Sequence, residues 1–432
     1  MKKCLFVFIV SITSFYGYSQ SFFGTQYDNY SGINSVISNP SNIINSRFKT
    51  DINLSSASLF AGNDYYSVKL GDLLSNDYDF EKQSTKHPKA NNNFYTNIDA
   101  LGPSFMVNIN DKSAVAFFSR VRAITHVSKI SGLFLNQIQD EVNEDFYFEN
   151  QNFSGASNAW IEYGLSYARV LIDNDTHSLK GGISIKYLNG ISSGYIKARN
   201  LSVNYDYTGL DVTDRTTTTG NIETGNISSL NDFDDPFDNR GSGFGVDLGV
   251  TYELKSKDFD DYLLKFGLSV TDLGKLKYKN ATKVYYDANA SYTDAEFALN
   301  DDFDSYYTRI SESKSFNVSL PSTLHLNADW HLSKKFFLNL NSDLNLISVD
   351  NTNSNFVNNT FSLTPRFETK WLSIYAPLSS VQNSGFQAGF GFRAGPLLIG
   401  SGSVVSALFD ETDAIDVHVG LKIPIYKGSK NN

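Results

Sequence analysis

The stretch Ser322–Ile347, STLHLNADWHLSKKFFLNLNSDLNLI, alternates apolar and polar residues in two runs separated by a basic break. In the first run Leu324, Leu326, Ala328, Trp330 and Leu332 share one phase, and His325, Asn327, Asp329 and His331 share the other. In the second, Phe336, Leu338, Leu340, Leu344 and Leu346 alternate with Asn339, Asn341, Asp343 and Asn345. Period-two patterning of this length specifies strands, because successive side chains leave a pleated backbone on opposite faces. Each run is about ten residues, the length that crosses a bilayer as a tilted strand. Polar residues oppose polar ones only if paired residue numbers sum to an even value, as for His331 with Phe337. That register predicts a three-residue loop, Ser333-Lys334-Lys335, and places His325 across from Asp343.

The same alternation recurs along the chain. Phe105, Val107 and Ile109 oppose Met106, Asn108 and Asn110, and the return strand sets Val115, Phe117 and Val121 against Phe118, Arg120, Arg122 and His126. Tyr163, Leu165 and Tyr167 oppose Glu162, Gly164 and Ser166, and Ile183 and Ile185 oppose Ser184 and Lys186. Phe244, Val246, Leu248 and Val250 oppose Gly245, Asp247, Gly249 and Thr251. The last such segment sets Val417, Val419, Leu421, Ile423 and Ile425 against Asp416, His418, Gly420 and Lys422. The first strand is expected near Thr50–Phe60, with Asp51 and Asn53 inward and Leu54 outward. Nearly every charge falls in one phase. That phase suits a wet or filled lumen, and the apolar phase suits lipid.

Connection lengths separate a barrel from a two-layer sandwich. Short connections at 110–113, 173–177, 255–261, 333–335, 369–370 and 394–395 largely alternate with long ones at 71–100, 127–157, 191–241, 272–315 and 348–359. Short turns on one membrane face and long loops on the other are the outer-membrane barrel pattern. Fifteen strand-like segments can be counted, and single-chain bacterial barrels have an even number. The expected fold is therefore all-β, a single transmembrane antiparallel β-barrel of about 14 strands. Within the long loops, Val127–Glu144 is spaced like a short amphipathic helix packing on its own barrel. Asp232–Asp238 is acidic but lacks calcium-loop spacing, and is expected to be solvated loop.

Residues 1–20 form a secretory signal peptide pattern, with Lys2 and Lys3, the apolar Leu5–Ile12 and Phe15–Tyr18, and a polar end at Ser19-Gln20. Without those two lysines the formal charge moves from −10 to −12. An acidic exported chain without a basic block argues against nucleic acid as a partner. Aromatics make up 14% of residues, a composition suited to interfacial girdles. Residues 21–49 lack alternation and turn at Asn39-Pro40; they read as an irregular segment before the barrel at 50–432, either a disordered N-terminus or an N-terminal lumenal plug-like segment.

Catalytic and metal chemistry find little purchase. His325 and His331 lie six residues apart on one strand, roughly 20 Å, too far to share an ion. There is no HExxH motif and the one cysteine is Cys4, so no metal or other cofactor is expected. His126, His325, His331 and His418 all fall in the inward phase, leaving no lipid-facing Ser–His pair, and no enzyme activity is expected. The glycines of Gly243–Gly249 lie within an alternating strand and read as close packing, not a phosphate loop. The lumenal polar positions singled out are His325, Asp343, Asp329, Arg120, Arg122 and Asp247.

Particular phrases resemble a known family. YSGIN, SNPSNI and SRFKTDINL within Asn29–Leu54, then Gly245–Tyr252 (GVDLGVTY), Ser269–Tyr278 (SVTDLGKLKY), Phe392–Ser401 (FRAGPLLIGS) and Val419–Ile425 (VGLKIPI), are similar in order to an uncharacterised Bacteroidota outer-membrane barrel family, a domain of unknown function. The Asn-Pro and Asp-Leu-Gly phrases resemble, more distantly, FadL-like fatty-acid transporters and PorV-like type IX secretion barrels. In the transporters the Asn-Pro-Ala phrase belongs to an N-terminal plug, which the resemblance carries to Asn39, Pro40 and Ser41, the last departing from Ala. Kinship of fold leaves cargo open, and the polar inward positions argue against a greasy tunnel through the whole barrel. The expected function is a partly plugged channel or transporter for a small solute in the outer membrane of a Gram-negative bacterium, in contact with outer-membrane lipid. The alternative is a non-conducting barrel serving as a binding or scaffold component of a secretion or cell-surface complex.

Overall fold

Fourteen antiparallel strands pair edge to edge and the last returns to the first, so the sheet has no free edge in its wall. The computed structural model describes residues 22, 24–44, 46–75, 77, 79–139, 143–227, 240–257, 259, 261–299, 303–348 and 353–427. The signal-like residues 1–20 and the acidic Asp232–Asp238 lie outside the described residues. The wall begins with β1 (Phe48–Asn63), β2 (Asn92–Leu101 and Ser104–Asn110), β3 (Ser113–Ile130), β4 (Ser154–Asp173) and β5 (His177–Asp206). It continues through β6 (Gly241–Lys255), β7 (Tyr262–Tyr278), β8 (Phe316–Ser319 and Thr323–Ser333), β9 (Phe336–Asn345) and β10 (Thr360–Glu368). β11 (Leu372–Tyr375 and Leu378–Val381), β12 (Gly385–Ala388 and Phe390–Ala394), β13 (Leu397–Ser401) and β14 (Ala414–Tyr426) complete it. Three of the interrupted strands break at Pro103, Pro321 and Pro377, where the ladder loses a donor. β1 and β14 close the barrel through Asp51↔Pro424, Ala57↔Val419 and Gly62↔Ala414.

Side-chain phase follows the alternation. Along β8 and β9, Trp330 (49% exposed) and Leu340 (41%) project outward, while Asp329 (0%) and Asn339 (3%) point into the lumen. His325 pairs with Asp343 and His331 with Phe337. The turn itself is tighter than the pattern predicts: Ser333 pairs with Phe336, and a register shift between His331 and Ser333 takes up the extra residue. Lys334 and Lys335 alone make the turn.

The long connections carry more strand than alternation reveals. β5 continues as far as Asp206 and pairs there with Arg215–Ile227, which also pairs with Ala281–Asp287 and Ala290–Thr293. Parts of the segments read as loops at 191–241 and 272–315 thus extend the sheet beyond the wall, without a lipid-facing apolar phase to mark them. A short helix, α1 (Gly132–Gln139), occupies the predicted helical stretch, with Phe134 and Leu135 buried under it. Past Ser401 the interval between β13 and β14 holds a helix, α2 (Val404–Phe409), whose Ser406 hydroxyl accepts from the Ala388 N–H at 2.8 Å. No helix among the described residues is long and apolar enough to cross a membrane, which is no bar to crossing with strands.

Candidate functional site

Residues 24–44 lie against the inner face of the wall, folded into two short 3₁₀ turns, Gly32–Ile37 and Pro40–Ile43. Nearly all of this segment is buried, and Ile33, Val36, Ile37, Ile43 and Ile44 form an apolar cluster with inward residues such as Met106 and Phe118. Asn39 caps the second turn, its side chain accepting from the Ser41 N–H at 2.9 Å, and Pro40 supplies the fixed φ at the first helical position. The Asn39 amide donates to the Val250 carbonyl at 3.2 Å, and the Ser41 hydroxyl meets Thr251 at 2.7 Å.

Glycines on the wall make room for this contact. A Cβ at Gly182 would stand 2.4 Å from the Ser41 nitrogen, and one at Gly249 would stand 2.1 Å from the Asn39 side-chain oxygen. Elsewhere Lys422 donates to the carbonyls of Tyr30 and Ser31 at 2.5 and 2.9 Å, while Asp51 accepts from the Ile33 N–H at 2.9 Å. The segment is therefore held on opposite arcs of the wall, by β5 and β6 on one side and β1 and β14 on the other.

Above it runs a belt of buried charge. Arg120 donates to Asp99 at 2.6 Å and approaches Glu162 at 3.5 Å; Arg122 reaches Glu162 at 3.3 Å and Asp272 at 2.6 Å. Lys186 lies 2.7 Å from Asp247 and also pairs with Asp272. Three cations and four carboxylates from six strands thus form one chain from Asp99 to Asp247. Ions this deep persist only when paired and hydrogen-bonded, and here each bridges two strands or more. A second group joins Arg366 to Asp329 through two 3.0 Å bonds and to Glu368 at 2.7 Å, with Asn29 donating to Glu368 at 2.9 Å.

Of the positions singled out in the sequence, Arg120, Arg122 and Asp247 fall in the first belt and Asp329 in the second group. His325 and Asp343 form a third contact, Nδ1 to Oδ1 at 2.6 Å, with the His325 Nε2 on Thr271 at 2.9 Å. His331 is stacked between Phe259 and Phe337 at 4.0 and 4.2 Å, remote in role from His325. Among the described residues no group of three His, Cys, Asp or Glu side chains is placed to hold a metal ion. Of the missed partners, Glu162 and Lys186 are legible as inward-phase charges, whereas Asp99 and Asp272 fall in stretches read as long connections, and Asp272 turns inward only at a register shift in β7; which charge meets which is set by how the strands close.

Two cavities flank the N-terminal segment. A chamber of about 70 Å³ lies between it and the charge belt, lined by Arg120, Arg122, His325, Asn341 and Asp343 among others. A larger one, about 490 Å³, opens at the short-turn end beside Asp173, Lys255 and Asp261. Toward the long-loop end the inward phase turns apolar: Phe60, Tyr95, Ile124, Trp160, Leu188 and Tyr278 belong to one buried cluster. Phe356, from the β9–β10 connection, enters this layer and packs against His126, the ring centroids 4.3 Å apart and the planes tilted by 52°. The mainly polar lumen expected from the alternation thus holds an apolar layer in its outer half. There, aromatics occupy the polar phase, and Trp160 beside Glu162 is the sequence signal.

An unbroken antiparallel wall, apolar outward and ion-paired inward, defines a transmembrane β-barrel. The chain belongs to a family of unknown function, DUF5723, matched over residues 40–402. Among curated proteins no sequence relative was found. Solved structures similar to it include the TodX monoaromatic hydrocarbon channel deltaS2 mutant, at 9% identity and a TM-score of 0.45, covering 92% of this chain and 95% of that one. The P. putida toluene transporter TodX is similar at 10% identity and a TM-score of 0.44, with the same 92% and 95% coverage. The translocator domain of autotransporter NalP from Neisseria meningitidis is similar at 10% identity and a TM-score of 0.33, covering 88% of each chain.

Proposed function

We propose that this protein is an outer-membrane barrel of a Gram-negative cell, exported through the signal-like residues 1–20, which passes or binds a small solute through a lumen closed by its own N-terminal segment. The observation that carries the reading is the pair of cavities along the lumen with residues 24–44 between them. Side chains fill the interior of a barrel of about eight strands, and one of fourteen is wider. Here the interior keeps space lined by polar side chains. Segment 21–49 then acts as a plug, with Asn39, Pro40 and Ser41 as its seat against β5 and β6. The partners of the barrel are membrane lipid on its outer face and the solute within, and it performs no covalent chemistry.

The alternative, a non-conducting barrel that binds or supports a secretion or surface complex, draws on the aromatic layer around Phe356 and Trp160, which fills the outer half. Liposomes separate the two. Deleting residues 24–44 is expected to raise the leakage of small sugars well above that of the intact protein. Leakage equal to that of protein-free liposomes, from a deletion variant that still migrates as a folded barrel, would overturn conduction and favour the scaffold.

A further inference from the structure

Only two described residues of the N-terminal segment, Gln26 and Tyr27, line both cavities. Gly24, Ile37 and Ser38 face the chamber alone, whereas Asp28, Asn29, Ser31, Gly32, Ser35 and Asn42 face the mouth alone. From this geometry we infer that Gln26 and Tyr27 form the inner seal of the lumen, a partition one layer of side chains thick, and that Tyr27 is the residue whose displacement joins chamber to mouth.

The anchoring of the segment supports the assignment. Beyond the partition the chain is held at Asn29 by Glu368 and Tyr262, each at 2.9 Å, at Tyr30–Ile33 by Lys422 and Asp51, and at Ser38 by Ser269. On its other side the Phe22 N–H is bonded to Ser58 at 2.8 Å. Between these ties the backbone bonds are local, Thr25 to Phe22 and Asp28 to Thr25, both at 3.2 Å. A span whose backbone bonds are local opens at lower cost than one whose backbone is paired to the wall. The consequence, which rests on the channel reading, is a passage for small polar solutes that opens at Tyr27 while residues 29–44 stay seated. The chamber beyond offers them the amides of Asn97, Asn339 and Asn341 and the guanidinium groups of Arg120 and Arg122.

Cysteine accessibility tests the partition without any need for conduction. The chain has one cysteine, Cys4, so a Cys4→Ser background allows a single thiol to be placed at will. In the detergent-solubilised full chain, Asn42→Cys in the mouth should react readily with a trimethylammonium methanethiosulfonate reagent, and Asn341→Cys in the chamber slowly. Adding Tyr27→Ala to Asn341→Cys should speed its modification about tenfold or more, because reaction follows the population of the open form, while Tyr27→Phe should leave it slow. Fast modification of Asn341→Cys with Tyr27 intact, or a rate unmoved by Tyr27→Ala, overturns the inference. Gln26→Ala, a smaller change in the same layer, gives the same reading should Tyr27→Ala fail to fold. A rate controlled by Tyr27 in a barrel that does not leak after deletion of 24–44 would keep the partition and discard the channel.

Discussion

Asn39, Pro40 and Ser41 can sit against the wall only because Gly182 and Gly249 carry no side chain. A valine at Gly182 would put Cβ 2.4 Å from the Ser41 nitrogen, a distance real contacts do not reach. Gly182→Val is therefore expected to cost about 1–3 kcal/mol, as overpacking does, and to raise hydrogen exchange of the amides of residues 36–43. Unchanged exchange there would show that the segment is not seated on β5. Buried and exposed ion pairs should also part company. Arg366→Met leaves Glu368 buried without its cation and Asp329 with only the Lys265 cation at 3.7 Å, and should destabilise by about 3–5 kcal/mol. Arg309→Met breaks pairs with Asp304 and Glu312 whose side chains keep 29–44% of their exposure, and should shift the midpoint far less. Denaturation midpoints of the two variants in detergent decide this; equal shifts would contradict the burial of the Arg366 group.

At the level of elements, the β8–β9 hairpin is the clearest test of phase. Leu340 and Asn341 are neighbours on β9 and leave it on opposite faces. Leu340→Arg should impair membrane insertion by about 2–4 kcal/mol if the residue lies near the midplane, whereas Asn341→Ser should insert normally. Equal yields of folded barrel from both variants would sink the register. The hairpin's pairing is legible in the sequence because the polar phase must match across the turn. The bulge at Ser333 is not, since a register shift in the last pair leaves every earlier side chain on its proper face. The outer extensions of β5 and β7 were invisible for a related reason: beyond the lipid belt nothing forces one face to be apolar, so β pairing loses its sequence signature.

For the molecule as a whole, closure of β14 on β1 gives a wall without a free edge. Such a barrel should stay compact in cold detergent and migrate differently before and after boiling. Identical migration in both conditions would argue for an open or soluble sheet. The layered lumen is a property of the same scale. From the short-turn end it passes through a polar mouth, the N-terminal segment, a polar chamber with its charge belt, and an aromatic layer capped by Phe356.

What the sequence determines by itself is whatever follows from a period of two. It specifies strands, their phase, the lipid-facing leucines and aromatics, the inward charges, and a barrel in place of a sandwich through alternating connection lengths. Local chemistry adds the Asn39-Pro40 turn and the glycines that read as close packing. Tertiary structure alone decides which inward charge meets which, because Asp99, Arg122, Asp272 and Lys186 are brought together only when six strands curve around a common axis. It also decides that residues 24–44 return into that axis, and that Gln26 and Tyr27 are the layer between two cavities. A strand's alternation records which side faces lipid; it holds no information about what stands across the lumen, since that neighbour arrives from another part of the chain.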